Sequence, residues 1–166
     1  MQVEQSDASL IQEFLHSRSE ATFLLLYRRH TPVLYLFALR LTGGRQADAE
    51  DIVQEMWIRA IRKLKDFRAD ASLRNWLMGI AFNCNRELKR KTRADEPIVN
   101  IEIQTPAPSD LLEKEIRALP DGCREILILH DLYGYTHEEI AAMLNIHQGT
   151  SKSQLFEARK RLRQVL

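Results

Sequence analysis

The residue types best suited to recognition chemistry lie between Thr136 and Arg163. Gly149, Thr150, Ser151, Lys152, Ser153 and Gln154 are small or hydrogen-bonding and open a predicted helix. Such residues let a backbone approach a duplex and read its base edges. Lys152, Arg159, Lys160, Arg161 and Arg163 are five cations against one acid, Glu157. The surplus can neutralise phosphates and would make affinity salt-dependent. Upstream, Thr136-His137-Glu138-Glu139 sets a hydroxyl and a carboxylate three residues apart, a capping box that opens a short helix. Ile140, Ala141 and Leu144 face inward on it. Asn145 stands in the turn, where positive φ is wanted, and Ile146 plugs that turn. A short capped helix, a three-residue turn and a longer basic helix predict a helix-turn-helix. The second helix of such a unit enters the major groove by its N-terminal end. A solvated terminal helix that merely packs on its neighbours is the plainer alternative; it is disfavoured because turn, cap and charge agree.

A second basic cluster comprises Arg86, Lys89, Arg90, Lys91 and Arg93, with Glu87 as the only acid among them. Phe67, Trp76 and Phe82 lie on or beside the same element. Cations that follow a strand and rings that stack on bases suit single-stranded nucleic acid, although Trp76 and Phe82 also fit a core.

Bond-making chemistry finds no matching constellation. His16, His30, His130, His137 and His147 are scattered and form no HExxH or Cys/His ligand set. His130 and Asp131 are adjacent, and neighbours on a helix do not face the same way. There is no glycine-rich phosphate loop. Cys84 and Cys123 stand far apart, outside any CxxC pair, and are expected as buried reduced thiols. The expectation is no enzyme, no cofactor and no metal.

The elements that must position these residues are helical throughout. Apolar spacing predicts helices over Asp7 to Arg18, from about Glu20 onward behind a Ser19 cap, and from about Gln46 to Leu64. Phe23, Leu24, Tyr27, Leu34, Tyr35, Phe37, Ala38 and Leu41 should form the apolar face of the second helix. Pro32 should kink or restart it, and Gly43-Gly44 should end it. In the third helix Asp48, Glu50, Asp51 and Glu55 come early and Arg59, Arg62, Lys63 and Lys65 late, as the helix dipole favours. Ser72 caps a fourth helix over about Leu73 to Thr92, with Trp76, Leu77, Ile80, Ala81, Cys84 and Leu88 as its buried stripe. Ala94 to Ser109 contains Pro97, Pro106, Pro108, Asp95, Glu96 and Glu102 without a basic residue, and reads as a linker. Further helices are expected over Asp110 to Ala118 and Asp121 to Tyr133. Gly134 breaks the latter.

The chain's 166 residues, 45% of them hydrophobic and 28% charged, suit a globular protein. A net charge of +1, from 24 basic and 23 acidic residues, rules out a uniformly basic coat. Apolar runs such as Phe23 to Tyr27 are too short to span a bilayer. Met1 to Ser9 carries Glu4 and Asp7 and no cation, unlike a signal peptide. The expected location is therefore cytoplasmic, without membrane insertion. The fold class expected is all-α: two small helical domains, 1–93 and 110–166, joined by a flexible linker, 94–109, the C-terminal domain being a helix-turn-helix.

Several stretches, in this order, resemble the extracytoplasmic-function (ECF, group IV) sigma factors of bacterial RNA polymerase. They are Asp48-Ala-Glu-Asp-Ile-Val-Gln-Glu55, Phe67-Arg-Ala-Asp-Ala-Ser-Leu-Arg-Asn-Trp-Leu77, Ile80-Ala81 with Asn83, Ala118-Leu-Pro120, Arg124-Glu125, Glu138-Glu-Ile-Ala141, Gly149-Thr150 and Ala158-Arg159. The resemblance runs from about Glu20 to Leu166.

It implies a promoter-specificity subunit that binds core RNA polymerase, carries it to promoter DNA and captures the melted strand. Asp48, Asp51, Gln54 and Glu55 would meet the polymerase clamp helices. Phe67 and Asn83 would hold a flipped base of the minus-ten element, an aromatic and an amide being suited to stacking and edge reading. Arg86, Lys89 and Arg90 would hold that strand's backbone. Thr150, Lys152, Ser153, Phe156, Arg159 and Lys160 would engage the minus-thirty-five element as duplex. The acidic linker would thread the polymerase cleft, and an anti-sigma factor would be a controlling partner. The chain departs from the family pattern in several places. Ser151 stands where a β-branched apolar residue is usual, which predicts weaker packing under the recognition helix. Gln154 and Glu157 stand where cations are common, Glu87 adds an acid on the minus-ten side, and Trp57 replaces a more usual Phe. The rival reading is a stand-alone helix-turn-helix regulator that binds duplex DNA without polymerase. Such a regulator would need neither the Phe67 and Asn83 pocket nor the clamp-facing acids.

Overall fold

The computed structural model describes residues 5–69, 71–95 and 111–165. Eight α-helices occur among them: α1 (Asp7–Ser17), α2 (Glu20–Leu41), α3 (Gln46–Lys63), α4 (Leu73–Asp95), α5 (Leu111–Ala118), α6 (Asp121–Leu127), α7 (His137–Leu144) and α8 (Gln148–Val165). A 3₁₀ turn (Leu64–Asp66) follows α3, and a π-helical turn (Ile128–Leu132) continues α6. No strand occurs among the described residues, as the all-α expectation requires. The chain divides into two compact units, one of residues 1–39 and 46–99, the other of residues 40–45 and 100–166.

In the first unit, α1 begins where the Ser6 hydroxyl accepts from the Ser9 amide at 3.2 Å. It ends at Arg18, whose backbone is left-handed (φ 53°) and whose N–H donates to the Phe14 carbonyl. Leu10, Ile11 and Phe14 are buried. Asp7 ties the start of α1 to α2, accepting from Arg29 at 2.7 Å and lying 3.0 Å from His30 Nε2. Burial pulls the Asp7 pKa upward, but the hydrogen bonds from Arg29 and His30 outweigh it and hold the carboxyl below its ordinary value.

Helix α2 differs from expectation in two respects. It runs through Pro32 without a break or restart. Pro32 is exposed, so its missing N–H and its ring sit on the solvent side, while Leu26, Leu34, Phe37 and Ala38 anchor the helix in the core on either side of it. Its apolar face matches the predicted one at Leu34, Phe37, Ala38 and Leu41, which are fully buried, but differs near the start: Leu26 is buried, whereas Leu24 and Tyr27 are each 37% exposed. The run from Phe23 to Tyr27 is apolar at nearly every position, so periodicity could not select the inward residue.

Helices α3 and α4 pack on each other and supply most of this core. Ala49, Ile52, Val53, Met56, Trp57 and Ala60 are buried on α3, and Leu73, Leu77, Met78, Ala81, Phe82 and Cys84 on α4. Ser72 caps α4 as predicted, its hydroxyl accepting from the Asn75 amide at 3.2 Å. Met78 and Phe82 are fully buried, whereas Trp76, Ile80 and Leu88 are only half-buried. Phe82 is thus a core ring and no stacking surface. Helix α4 extends to Asp95, two residues into the segment expected as linker; residues 96–110 lie outside the described ones. Trp57 donates from Nε1 to Thr31 Oγ1 at 3.0 Å. Its ring lies 5.5 Å from both Phe23 and Tyr27, forming an aromatic cluster between α2 and α3.

In the second unit, α8 packs on α5, α6 and α7. Ile116, Ile126, Ile128, Ile140, Leu155, Ala158 and Leu162 are buried there. Removing a buried Leu such as Leu155 to Ala typically costs about 2–5 kcal/mol. The expected helix over Asp121 to Tyr133 is α-helical only to Leu127. Beyond it the turn widens, and the Tyr133 amide donates five residues back to the Ile128 carbonyl at 3.2 Å.

Candidate nucleic-acid interface

In the first unit, two adjoining grooves run between α3 and α4. One, of about 420 Å³, has Asp51, Gln54 and Glu55 along its α3 side, Lys91 on α4, and Ile52 and Cys84 in its floor. Asp51 and Gln54 are exposed. The other, of about 240 Å³, is lined by Asn83, Arg86 and Arg90 from α4 and by Arg59 and Lys63 from α3. Arg59 and Glu87 line both. The Arg59 guanidinium donates to Glu55 at 2.6 Å and through two nitrogens to Glu87 at 2.8 and 2.6 Å. The hydrogen bond to Glu87, with that to Glu55 next, raises the Arg59 pKa further, and the Arg59 hydrogen bond lowers that of Glu87. The acid that counted against strand binding is therefore held in an ion pair with Arg59 on the wall shared by the two grooves. Lys63, Arg86 and Arg90 leave the second groove cationic, with the Asn83 amide among them.

Phe67 lies in the loop after the 3₁₀ turn, half-buried. Its ring is 5.3 Å from that of Trp76 at 57°, and it is not among the residues lining the cationic groove. Asp48 and Lys89 are half-buried and line neither groove. Sequence reasoning left Arg59 and Lys63 out of this site. The i, i+4 spacing of Glu55 and Arg59 was visible, but the reach from α3 to Glu87 on α4 depends on helix packing.

In the second unit, the predicted capping box is present: the Glu139 amide donates to Thr136 Oγ1 at 3.2 Å, and the Thr136 amide to Glu139 Oε2 at 2.7 Å. The Thr136 hydrogen bonds lower the Glu139 pKa. Asn145 ends α7 in the left-handed conformation (φ 54°, ψ 51°), as the turn requires, and α8 follows at Gln148. Lys152, Ser153, Arg159 and Lys160 are exposed on α8, Thr150 is half-buried, and Phe156 is 64% exposed. Lys152, Phe156 and Arg159 fall at i, i+4 and i+7, on one face. A Phe ring so exposed on a cationic helix face has no role in this unit's own core.

The departures from the family pattern have local explanations. Ser151 is fully buried, and its hydroxyl lies 2.8 Å from His137 Nδ1. It is therefore a satisfied polar contact between α7 and α8, in place of the apolar contact usual at this position in the family. Glu157 accepts from Arg161 at 2.9 Å. The Gln154 side chain lies over the start of α6, its Oε1 only 2.7 Å from where a Cβ on Gly122 would stand. His130 and Asp131, expected to diverge, are 2.7 Å apart at Nδ1 and Oδ1. They sit in the π-helical turn, where the angular step between residues is smaller than in an α-helix. Cys84 and Cys123 are buried and free, and burial raises both thiol pKa values.

Comparison with known proteins agrees with both units. The family model for Sigma-70 region 2 matches residues 26–94, and that for Sigma-70, region 4 matches residues 109–162. ECF RNA polymerase sigma factor SigM of Mycobacterium tuberculosis is 32% identical over 171 residues, covering 98% of this chain and 86% of that protein. The chain belongs to the ECF sigma factors. The ECF RNA polymerase sigma-E factor of Escherichia coli K12 is 28% identical over 177 residues, covering 93% of this sigma factor and 91% of its own length. Among solved structures, the sigma factor RpoE from Bartonella quintana, crystallised with the anti-sigma factor NepR, matches with a TM-score of 0.70 and 29% identity over 86% of this chain and 95% of that one. CnrH, solved with the cytosolic domain of CnrY, shares the fold with a TM-score of 0.60 and 24% identity. As a sigma factor the chain binds core RNA polymerase and directs promoter-specific transcription initiation. Among the described residues no helix is long and apolar enough to cross a membrane.

Proposed function

We propose that residues 1–93 dock on core polymerase and open the minus-ten element, that residues 110–166 read the minus-thirty-five element, and that 94–109 link them. The α3 surface of Asp48, Asp51, Gln54 and Glu55 meets the polymerase. Asn83 and Phe67 hold an unstacked base, with Arg86, Lys89 and Arg90 along its strand. Thr150, Lys152, Ser153, Phe156, Arg159 and Lys160 face the duplex. The carrying observation is the cationic groove that gathers Asn83, Arg86 and Arg90 with Lys63, adjoining the α3 rim of Asp51 and Gln54. An amide among cations suits a base edge beside its phosphates. A stand-alone regulator would have no use for it.

In this reading the protein makes and breaks no bonds, works in the cytoplasm beside the polymerase, and needs neither cofactor nor metal. An anti-sigma factor holds it until the signal arrives, as suggested by the RpoE relative solved with NepR.

Run-off transcription with and without core polymerase tests the assignment. The free chain should bind promoter duplex poorly and should direct core polymerase to it well. Asp51→Arg should weaken core binding while leaving the duplex contacts of the full chain unchanged. Tight, specific promoter binding by the free chain, or equal loss of both activities, would overturn the reading.

A further inference from the structure

The second unit contains a contact chain that the proposed function does not use. It starts at Ser151 in the first turn of α8 and passes to the His137 ring at 2.8 Å. The His137 and His130 rings then stack, 4.5 Å apart at 26°. His130 Nδ1 lies 2.7 Å from Asp131 Oδ1. Finally, Arg159 returns to Asp131, donating from Nε to Oδ2 at 3.0 Å and from Nη2 to Oδ1 at 2.7 Å. Arg159 is two helical turns beyond Ser151, on the face that carries Lys152 and Phe156. Its side chain is 48% exposed and that of Asp131 27%.

We propose that Asp131 is a positioning residue for duplex binding: it holds the Arg159 guanidinium so that its remaining donors are presented to the phosphate backbone. Arg159 is a long side chain whose freedom must otherwise be lost when DNA binds. A two-point hold from a carboxylate fixes the plane and direction of the fork. Two of the five N–H donors face Asp131 and three are left, enough for a phosphate. The wide turn at Ile128–Leu132 brings the carboxylate within reach of α8, and such turns often occur at functional positions. His130 Nδ1 braces the same carboxylate at Oδ1, the oxygen that also accepts from Arg159 Nη2. The proposal rests on the reading of Arg159 as a phosphate contact.

Simple electrostatics predicts the opposite sign for the decisive variant, since removing an acid beside DNA should strengthen binding. The test uses the full chain and a random-sequence DNA duplex, because phosphate contacts carry sequence-independent affinity. Binding is followed by fluorescence anisotropy over a series of low salt concentrations. Asp131→Ala should weaken binding about 3- to 10-fold and make the slope of log K against log salt shallower by about 0.9, the share of one phosphate contact. Arg159→Ala should do the same, and the double variant should be no worse than Arg159→Ala alone. Asp131→Asn keeps an acceptor for one donor and should fall between wild type and Asp131→Ala; it also decides the matter if the alanine variant folds poorly. Tighter binding by Asp131→Ala with an unchanged slope, while Arg159→Ala weakens binding, overturns the positioning role alone. An unaltered affinity and slope for Arg159→Ala overturns the phosphate contact and the proposal with it.

Discussion

Ser151 and His137 offer a sharp test of how this helix-turn-helix is held together. The Ser151 hydroxyl is fully buried and 2.8 Å from His137 Nδ1; it can donate to an unprotonated nitrogen or accept from a protonated one. A neutral hydrogen bond of this kind contributes about 0.5–1.5 kcal/mol net. Ser151→Ala removes it without adding volume, and the half-buried His137 ring can turn to water, so the expected loss is about 1 kcal/mol. Ser151→Val forfeits the same bond and forces an extra methyl against the imidazole. Overpacking a filled site adds about 1–2 kcal/mol, for a total of about 2–3 kcal/mol. Truncating the ring relieves the crowding, so His137→Ala with Ser151→Val should be less destabilised than the sum of the two single changes. The two units can unfold separately, so amide hydrogen exchange in α7 and α8 under native conditions is a better measure than a global melt. If Ser151→Val is neutral or stabilising, the hydroxyl–imidazole contact does not organise the start of α8.

Trp57→Phe loses the bond to Thr31 Oγ1 and part of a buried ring, and should cost about 2 kcal/mol in urea denaturation of the full chain; Thr31→Val should lose only the hydrogen-bond share. Acid should destabilise the second unit in two stages. Burial, and then the neighbouring His130, Lys152 and Arg159, lowers the His137 pKa in the folded state. Its contribution is therefore full above about pH 6.5 and declines as pH falls from there toward the folded value. Asp131 and Glu139 have lowered carboxyl pKa values, owing first to the Arg159 hydrogen bond and to Thr136, so their contribution is lost only below about pH 4. Exchange rates measured across this range should show both steps, and His137→Asn should abolish the first alone.

Periodicity and capping patterns placed the helices well. The Ser19, Ser72 and Thr136 caps, the turn at Asn145 and the start of α8 are local features, each set by residues within a few positions of one another. Where a run was apolar throughout, as at Phe23 to Tyr27, or where Met78 and Phe82 lay beside the chosen stripe on α4, local pattern could not choose the buried face. Pro32 was misread for a related reason: its local cost is real, but core contacts on both sides of it hold α2 together. The cationic residues of both clusters were legible because charge stays at the surface. Their pairing was not, since Glu87 meets Arg59 across two helices and Asp131 meets Arg159 across 28 positions in the chain.

The amino-acid sequence by itself determined the helices, their caps, the helix-turn-helix and the family, because hydrogen bonding within a helix and its ends involves residues only a few places apart. The tertiary structure alone decided which charges are left to meet a partner. Helix packing, acting over distances a local pattern does not encode, turned Glu87 and Asp131 onto arginines of other helices and left Lys152 and Phe156 on the exposed face of α8 and Arg90 on the groove between α3 and α4.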